Sequence, residues 1–249
     1  MKRTALGLVA ILALAGCTAS EPVATEPADT LSGTITVFAA ASLTESFQTI
    51  ADAFAEEHPG VTVTFNFGGS SGLATQIVEA APADVFAAAS PATMKTVTDA
   101  ALTDGEPVDF ASNVLEIAVA SGNPGEITGL EDFANADKTI ALCAVEVPCG
   151  AASAKLFTEA GITPSVDTYE QDVKAVLTKV ELGEVDAGLV YVTDVQAAGD
   201  NIEGIEVDSE PVRYPIAALT DSPAAAAFIE FVLSSKGQSI LKAAGFGTP

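Results

Sequence analysis

From residue 33 onward, short β-branched and apolar runs alternate with longer stretches whose apolar positions recur every three or four residues. TITVFAA (34–40) predicts a strand, 43–57 a helix, VTVTFNF (61–67) a strand, 70–80 a helix, ADVFAAA (83–89) a strand and 91–101 a helix. Three such units in a row predict an α/β protein with mainly parallel sheets. A second block opens with the strand NVLEIAVA (113–120) and the turn-rich SGNPGEITG (121–129). It continues through a helix at 130–134, strand TIALC (139–143), helices at 150–160 and 173–182, and strand AGLVYV (187–192). The strand RYPIAAL (213–219) and helices at 223–234 and 237–244 are expected to return to the first block. The predicted division is 33–111 with 212–249 as one lobe and 112–211 as the other.

The first 32 residues follow neither period. Lys2 and Arg3 precede an apolar run over 5–14 and then Leu14-Ala15-Gly16-Cys17. That order predicts a signal peptide over 1–16, too short to span a membrane. Small residues followed at once by cysteine resemble the bacterial lipobox, which implies cleavage before Cys17 and lipidation of its thiol. An ordinary signal peptide with a chance cysteine is the alternative. TASEPVATEPADTLS (18–32) has the composition of a tether, unable to bury a core.

Charge narrows the function classes. The chain carries 10 Lys+Arg against 34 Asp+Glu, a formal net charge of −24. No basic cluster follows Arg3, so nucleic acid is not an expected partner. An acidic surface also cannot draw an anion by its overall field; an anion must be caught by local dipoles and hydrogen bonds. Apart from Cys17 the cysteines are Cys143 and Cys149, in LCAVEVPCG. An extracytoplasmic compartment permits a disulfide between them; two free thiols or a soft-metal pair are the other readings.

Candidate chemistry sits at two strand-to-helix junctions. In AAASLT (39–44), small residues and a hydroxyl lie between a buried strand and a helix. In FGGSSGL (67–73), glycine permits close backbone approach and two hydroxyls open the next helix. Free N–H groups and the helix dipole make such ends attractive to anions, although capping or turn formation explains either segment taken alone.

In order, VFAAASLTESF, FNFGGSSGLATQI with APADVFAAAS, EVPCG and DVKAVLTKVELGEVDAGLVYVTD resemble the periplasmic molybdate-binding protein family, over nearly the whole chain from Thr34 to Phe246. The resemblance implies a two-lobed periplasmic-binding-protein fold (type II-like), with ligand in the interlobe cleft. It implies an oxyanion held by hydroxyls and backbone N–H groups without a cationic side chain. Carried over by position, the contacts fall on Ser42 and Ser70 in the first lobe and on Cys149, Val173 and Tyr191 in the second. Cys149 and Val173 would give only backbone N–H. Cys149 stands where many relatives have a small apolar residue, a departure that spares the backbone donor. None of the five is acidic, which favours a fully deprotonated dianion over phosphate, whose remaining proton needs an acceptor. The implied ligand is molybdate or tungstate, with no cofactor. The implied partners are an ABC permease and ATPase, with the chain a monomer anchored by lipid at the extracytoplasmic membrane face.

Other readings are a binder of sulfate or another small anion, a structural surface lipoprotein, or a hydrolase. The last is disfavoured, because GGSSG lacks the G-x-S-x-G spacing and His58, the only histidine, ends a predicted helix.

Overall fold

The computed structural model describes residues 31–249. The expected signal segment, Cys17 and nearly all of the tether lie outside the described residues. In chain order the elements are β1 (Gly33–Ala40), a 3-10 turn (Ala41–Leu43), α1 (Thr44–Glu57), β2 (Val61–Gly68), α2 (Ser70–Val78), β3 (Val85–Ala87) and α3 (Pro91–Asp99). Then follow β4 (Asp104–Asn113), β5 (Leu115–Ala120), a 3-10 turn (Leu130–Ala134), β6 (Ile140–Cys143), α4 (Pro148–Ala160), β7 (Thr168–Glu170) and α5 (Val173–Glu181). The last are β8 (Ala187–Tyr191), α6 (Val192–Ala198), β9 (Ile202–Glu206), β10 (Val212–Ala218), α7 (Pro223–Leu233) and α8 (Ser235–Ala243), with a 3-10 turn (Gly199–Asn201) before β9.

The strands form two five-stranded sheets, ordered β2-β1-β3-β10-β4 and β7-β6-β8-β5-β9. The α/β class holds, but the expectation of mainly parallel sheets needs correcting. β1 pairs in parallel with β2 and β3, and β6 with β7 and β8, whereas β10 and β5 pair antiparallel with both of their neighbours. The cause lies where the chain changes sheet. β4 ends the first sheet at Asn113 and β5 starts the second at Leu115; β9 leaves the second and β10 rejoins the first. Of these four, β5 and β10 run against the βα units they join, and hydrophobic periodicity carries no strand direction.

Each sheet has its own core. The first is aromatic: Phe47, Phe54, Phe110 and Phe228 are fully buried, and Phe54 meets Phe228 edge-on at 5.4 Å. The second is mostly aliphatic, with Ile117, Val176, Val180 and Leu189 fully buried. β1 has strands on both sides and its last four residues are buried, hence its unbroken apolar run VFAA. β4 closes the edge of the first sheet, where Pro107 is tolerated because one side of the strand needs no partner. Among the described residues no helix is long and apolar enough to cross a membrane.

Candidate functional site

Five chain segments converge where the parallel strands of the two sheets end. β1 leads into the 3-10 turn that carries Ser42, and β2 leads through Gly69 to Ser70, the first residue of α2. In the second sheet, β6 leads to α4, whose second residue is Cys149; β7 leads to α5, whose first residue is Val173; β8 ends on Tyr191. Carboxyl ends of strands meeting helix N-termini are the usual place for a ligand in open α/β sheets.

All five expected residues line one cleft with about 220 Å³ of empty space, together with Ala40, Ala41, Gly68, Gly69, Ala89, Val147, Pro148 and Asp172. The two halves meet across it. A Cβ on Gly69 would collide with the Gln171 carbonyl oxygen, so the β2–α2 junction approaches the second sheet as only glycine allows. Ser71 Oγ donates to the Glu146 carbonyl at 2.6 Å, and Gln196 Nε2 to the Ala243 carbonyl at 2.8 Å.

The donors differ in how they are held. Ser70 Oγ accepts the Ala89 N–H at 3.0 Å, which leaves the Ser70 proton free to point elsewhere. Ser42 Oγ lies 2.9 Å from Tyr214 Oη, both buried. Tyr191 is buried and its hydroxyl has no hydrogen-bond partner among the described residues. Burial, then the nearby Tyr214 and Asp194, push its phenol well above the usual tyrosine range, so it remains a neutral donor. The amides of Cys149 and Val173 belong to the first turns of α4 and α5, which intrahelical bonding leaves unsatisfied.

Backbone geometry here depends on a few fixed groups. Cys143, the last residue of β6, is disulfide-bonded to Cys149 with Cα atoms 5.8 Å apart, which sets aside the readings of free thiols and of a metal pair. A Cβ on Gly150 would collide with the Ala144 carbonyl, so the start of α4 packs directly on the loop that the disulfide closes. Asp194 Oδ2 accepts the Tyr191 N–H at 3.1 Å. The other Asp194 oxygen lies 3.3 Å from Lys174 Nζ, in an ion pair without an aligned hydrogen bond. Burial outweighs Lys174 and pushes the Asp194 carboxyl up to about 6. Lys174 also donates to Glu45 of α1 at 2.9 Å, tying α5 to the opposite half.

Asp172 was not among the expected site residues. Oδ1 accepts the Ala175 N–H at 2.9 Å, so the carboxylate caps α5 while bordering the cleft. An Asp before a predicted helix is a capping signal; nothing local tells that it faces a cavity. His58 sits at the end of α1 with its ring 4.5 Å from that of Phe54 and does not line the cleft. Among the described residues no group of His, Cys, Asp and Glu could hold a metal ion.

Residues 35–247 match the family described as bacterial extracellular solute-binding protein. The chain belongs to that family. It is thus a solute-binding protein, as its relatives are, and not an enzyme. The molybdate-binding protein ModA of Mycobacterium tuberculosis H37Rv is 39% identical to this solute-binding protein over 253 residues, which span 98% of this chain and 97% of the relative. Among solved structures, the periplasmic molybdate-binding protein of Azotobacter vinelandii superposes with a TM-score of 0.75 at 21% identity, covering 86% of this chain and 99% of its own. The sulfate-binding protein SubI of M. tuberculosis H37Rv superposes with a TM-score of 0.76 at 19% identity, covering 86% of each chain. Both superpositions establish the architecture alone, and their near-equal scores show that this architecture does not choose between the two anions.

Proposed function

We propose that this solute-binding protein captures molybdate, with tungstate as its near equivalent, and delivers it to an ABC importer. The observation that carries the reading is the donor set: Ser42, Ser70 and Tyr191 hydroxyls and the Cys149 and Val173 amides around one cleft, with no cationic side chain among the described residues that line it. Each hydrogen bond to a charged acceptor contributes roughly 1.5–3 kcal/mol, so several neutral donors in a closed site hold a dianion without a countercharge. The kinship with ModA of M. tuberculosis supports molybdate over sulfate.

Asp172 favours a second reading. It borders the cleft, and a carboxylate there is the acceptor that hydrogen phosphate would need. Its role as the cap of α5 argues against this, since one oxygen is already engaged. Calorimetric titration with molybdate, tungstate, sulfate and phosphate in one buffer separates the readings. Tight one-to-one binding of the first two with little heat from the others is the expected result. Binding of sulfate alone would keep the architecture and remove the molybdate assignment, and binding of phosphate would give Asp172 the acceptor's role.

The sequence up to Cys17 supports a lipid anchor at the extracytoplasmic membrane face, and the kinship with ModA supports work beside an ABC permease and ATPase. Metabolic labelling with a radioactive fatty acid tests the anchor: label should enter the native chain and be absent from Cys17→Ala.

A further inference from the structure

Tyr214 belongs to β10, near the chain crossing, and does not line the cleft. It is fully buried, its ring edge-on to Phe110 at 6.3 Å, to Phe246 at 5.5 Å and to Tyr191 of the cleft at 6.1 Å, contacts that a Phe at this position keeps. Packing accounts for the ring and not for the hydroxyl, which lies 2.9 Å from Ser42 Oγ. Either oxygen can donate in that pair when it stands alone. A serine hydroxyl has one proton. Beside a dianion that proton is drawn to the ligand, and the Ser42–Tyr214 bond then survives only with Tyr214 as its donor. Burial, the largest influence on the phenol, raises its pKa and keeps it protonated for that task.

Ser70 has the same arrangement with a fixed sense. Its oxygen accepts from the Ala89 amide, which can only donate, so the Ser70 proton is left for the cleft. We infer that Tyr214 is a positioning residue of the binding site, whose hydroxyl donates to Ser42 and thereby commits the Ser42 proton to the bound oxyanion. The inference rests on the oxyanion reading above. A donor behind a donor also polarises it, so the Ser42 bond to the ligand is stronger than Ser42 alone would give.

The test is a double-mutant cycle by calorimetric titration with sodium molybdate, on the wild-type protein, Tyr214→Phe, Ser42→Ala and the double variant, with thermal melts reporting intact folding. Phe keeps the ring contacts and removes only the hydroxyl. Ser42→Ala should weaken binding about 10- to 100-fold and Tyr214→Phe about 3- to 10-fold. The double variant should bind within about twofold of Ser42→Ala, because Tyr214 acts through Ser42. In a Ser70→Ala background, where the hydroxyl is held by Ala89 instead, Tyr214→Phe should keep its full effect. Wild-type affinity in Tyr214→Phe, or losses that multiply in the Ser42 cycle, would overturn the inference, since a general structural role adds to both serines alike. If the wild-type protein bound sulfate and not molybdate, the same cycle read with sulfate would judge Tyr214 while the molybdate reading fell. If it bound no oxyanion, both would fall.

Discussion

The two halves of the cleft supply the same kind of group in opposite states. On the first-sheet side the hydroxyls of Ser42 and Ser70 are already engaged from behind, by Tyr214 and by the Ala89 amide. On the second-sheet side the Tyr191 hydroxyl is buried without a partner among the described residues, and the Cys149 and Val173 amides lie in open first turns of helices. A buried unpartnered donor costs roughly 1–3 kcal/mol. The first half is therefore preorganised by the fold, whereas the second carries strain that a bound anion relieves. That difference gives a ligand its differential affinity for a closed form, which is what closure of two halves around a solute requires.

The largest expected effects break this comparison directly. Ser70→Ala and Tyr191→Phe should each weaken molybdate binding about 10- to 100-fold, the loss of one hydrogen bond to a dianion. They should part company in stability. Ser70→Ala orphans the Ala89 N–H and should lower folding stability by about 1–3 kcal/mol; Tyr191→Phe removes an unpartnered group and should leave the unliganded protein as stable as before, or more so. Denaturant melts without and with ligand read both quantities. Equal destabilisation by the two variants would erase the distinction between the halves.

Next in size is the disulfide, which holds the second half's loop as hydrogen bonds hold the first. Replacing Cys143 and Cys149 together by Ala should cost about 2 kcal/mol of stability, given the short loop, with a smaller loss of affinity because the Cys149 N–H remains. Loss of all binding with native stability would mean that the sulfur atoms themselves matter to the ligand.

Asp194, which fixes the Tyr191 backbone, predicts a smaller and pH-dependent effect. Its pKa in the folded protein, about 6, lies above the ordinary carboxylate value, so the folded chain holds the proton more tightly than the unfolded one. The group's contribution to stability is complete below about pH 4 and is lost as pH rises through about 6. Lys174 and Glu45 are the charged groups facing it. Asp194→Asn keeps an acceptor for the Tyr191 amide and removes the ionisation. Its melting temperature relative to wild type should climb between pH 4.5 and 7.5, and a constant offset would show that Asp194 does not titrate there.

The smallest effect concerns Asp172. Asn caps a helix as well as Asp does, so Asp172→Asn should preserve α5 and remove a negative charge at the cleft border. Molybdate affinity by titration should rise a few-fold, by less in high salt. A fall would mean that the carboxylate takes part in binding.

Much of this was legible in the sequence, for identifiable reasons. Ser42 and Ser70 stand at junctions where a buried run stops and small or hydroxylated residues begin, a local signal. β4 escaped because Gly105 and Pro107 break the strand pattern, and only its place at a sheet edge makes them harmless. α6 escaped because it begins at Val192 with no turn after Tyr191. β7, three residues long, gives too little periodicity to detect. The roles of Tyr214 and Asp172 depend on partners or surfaces brought together by folding; Tyr214 and Ser42 are 172 positions apart. In sequence Tyr214 is simply an aromatic residue in an apolar strand.

A crystal structure of the protein grown with molybdate tests the central claim most directly. The ion should lie in this cleft with its oxygens within about 3.2 Å of the Ser42, Ser70 and Tyr191 hydroxyls and of the Cys149 and Val173 amides, with no Lys or Arg side chain in contact. An ion bound elsewhere, or one held by a cationic side chain, would contradict capture of a dianion by neutral donors.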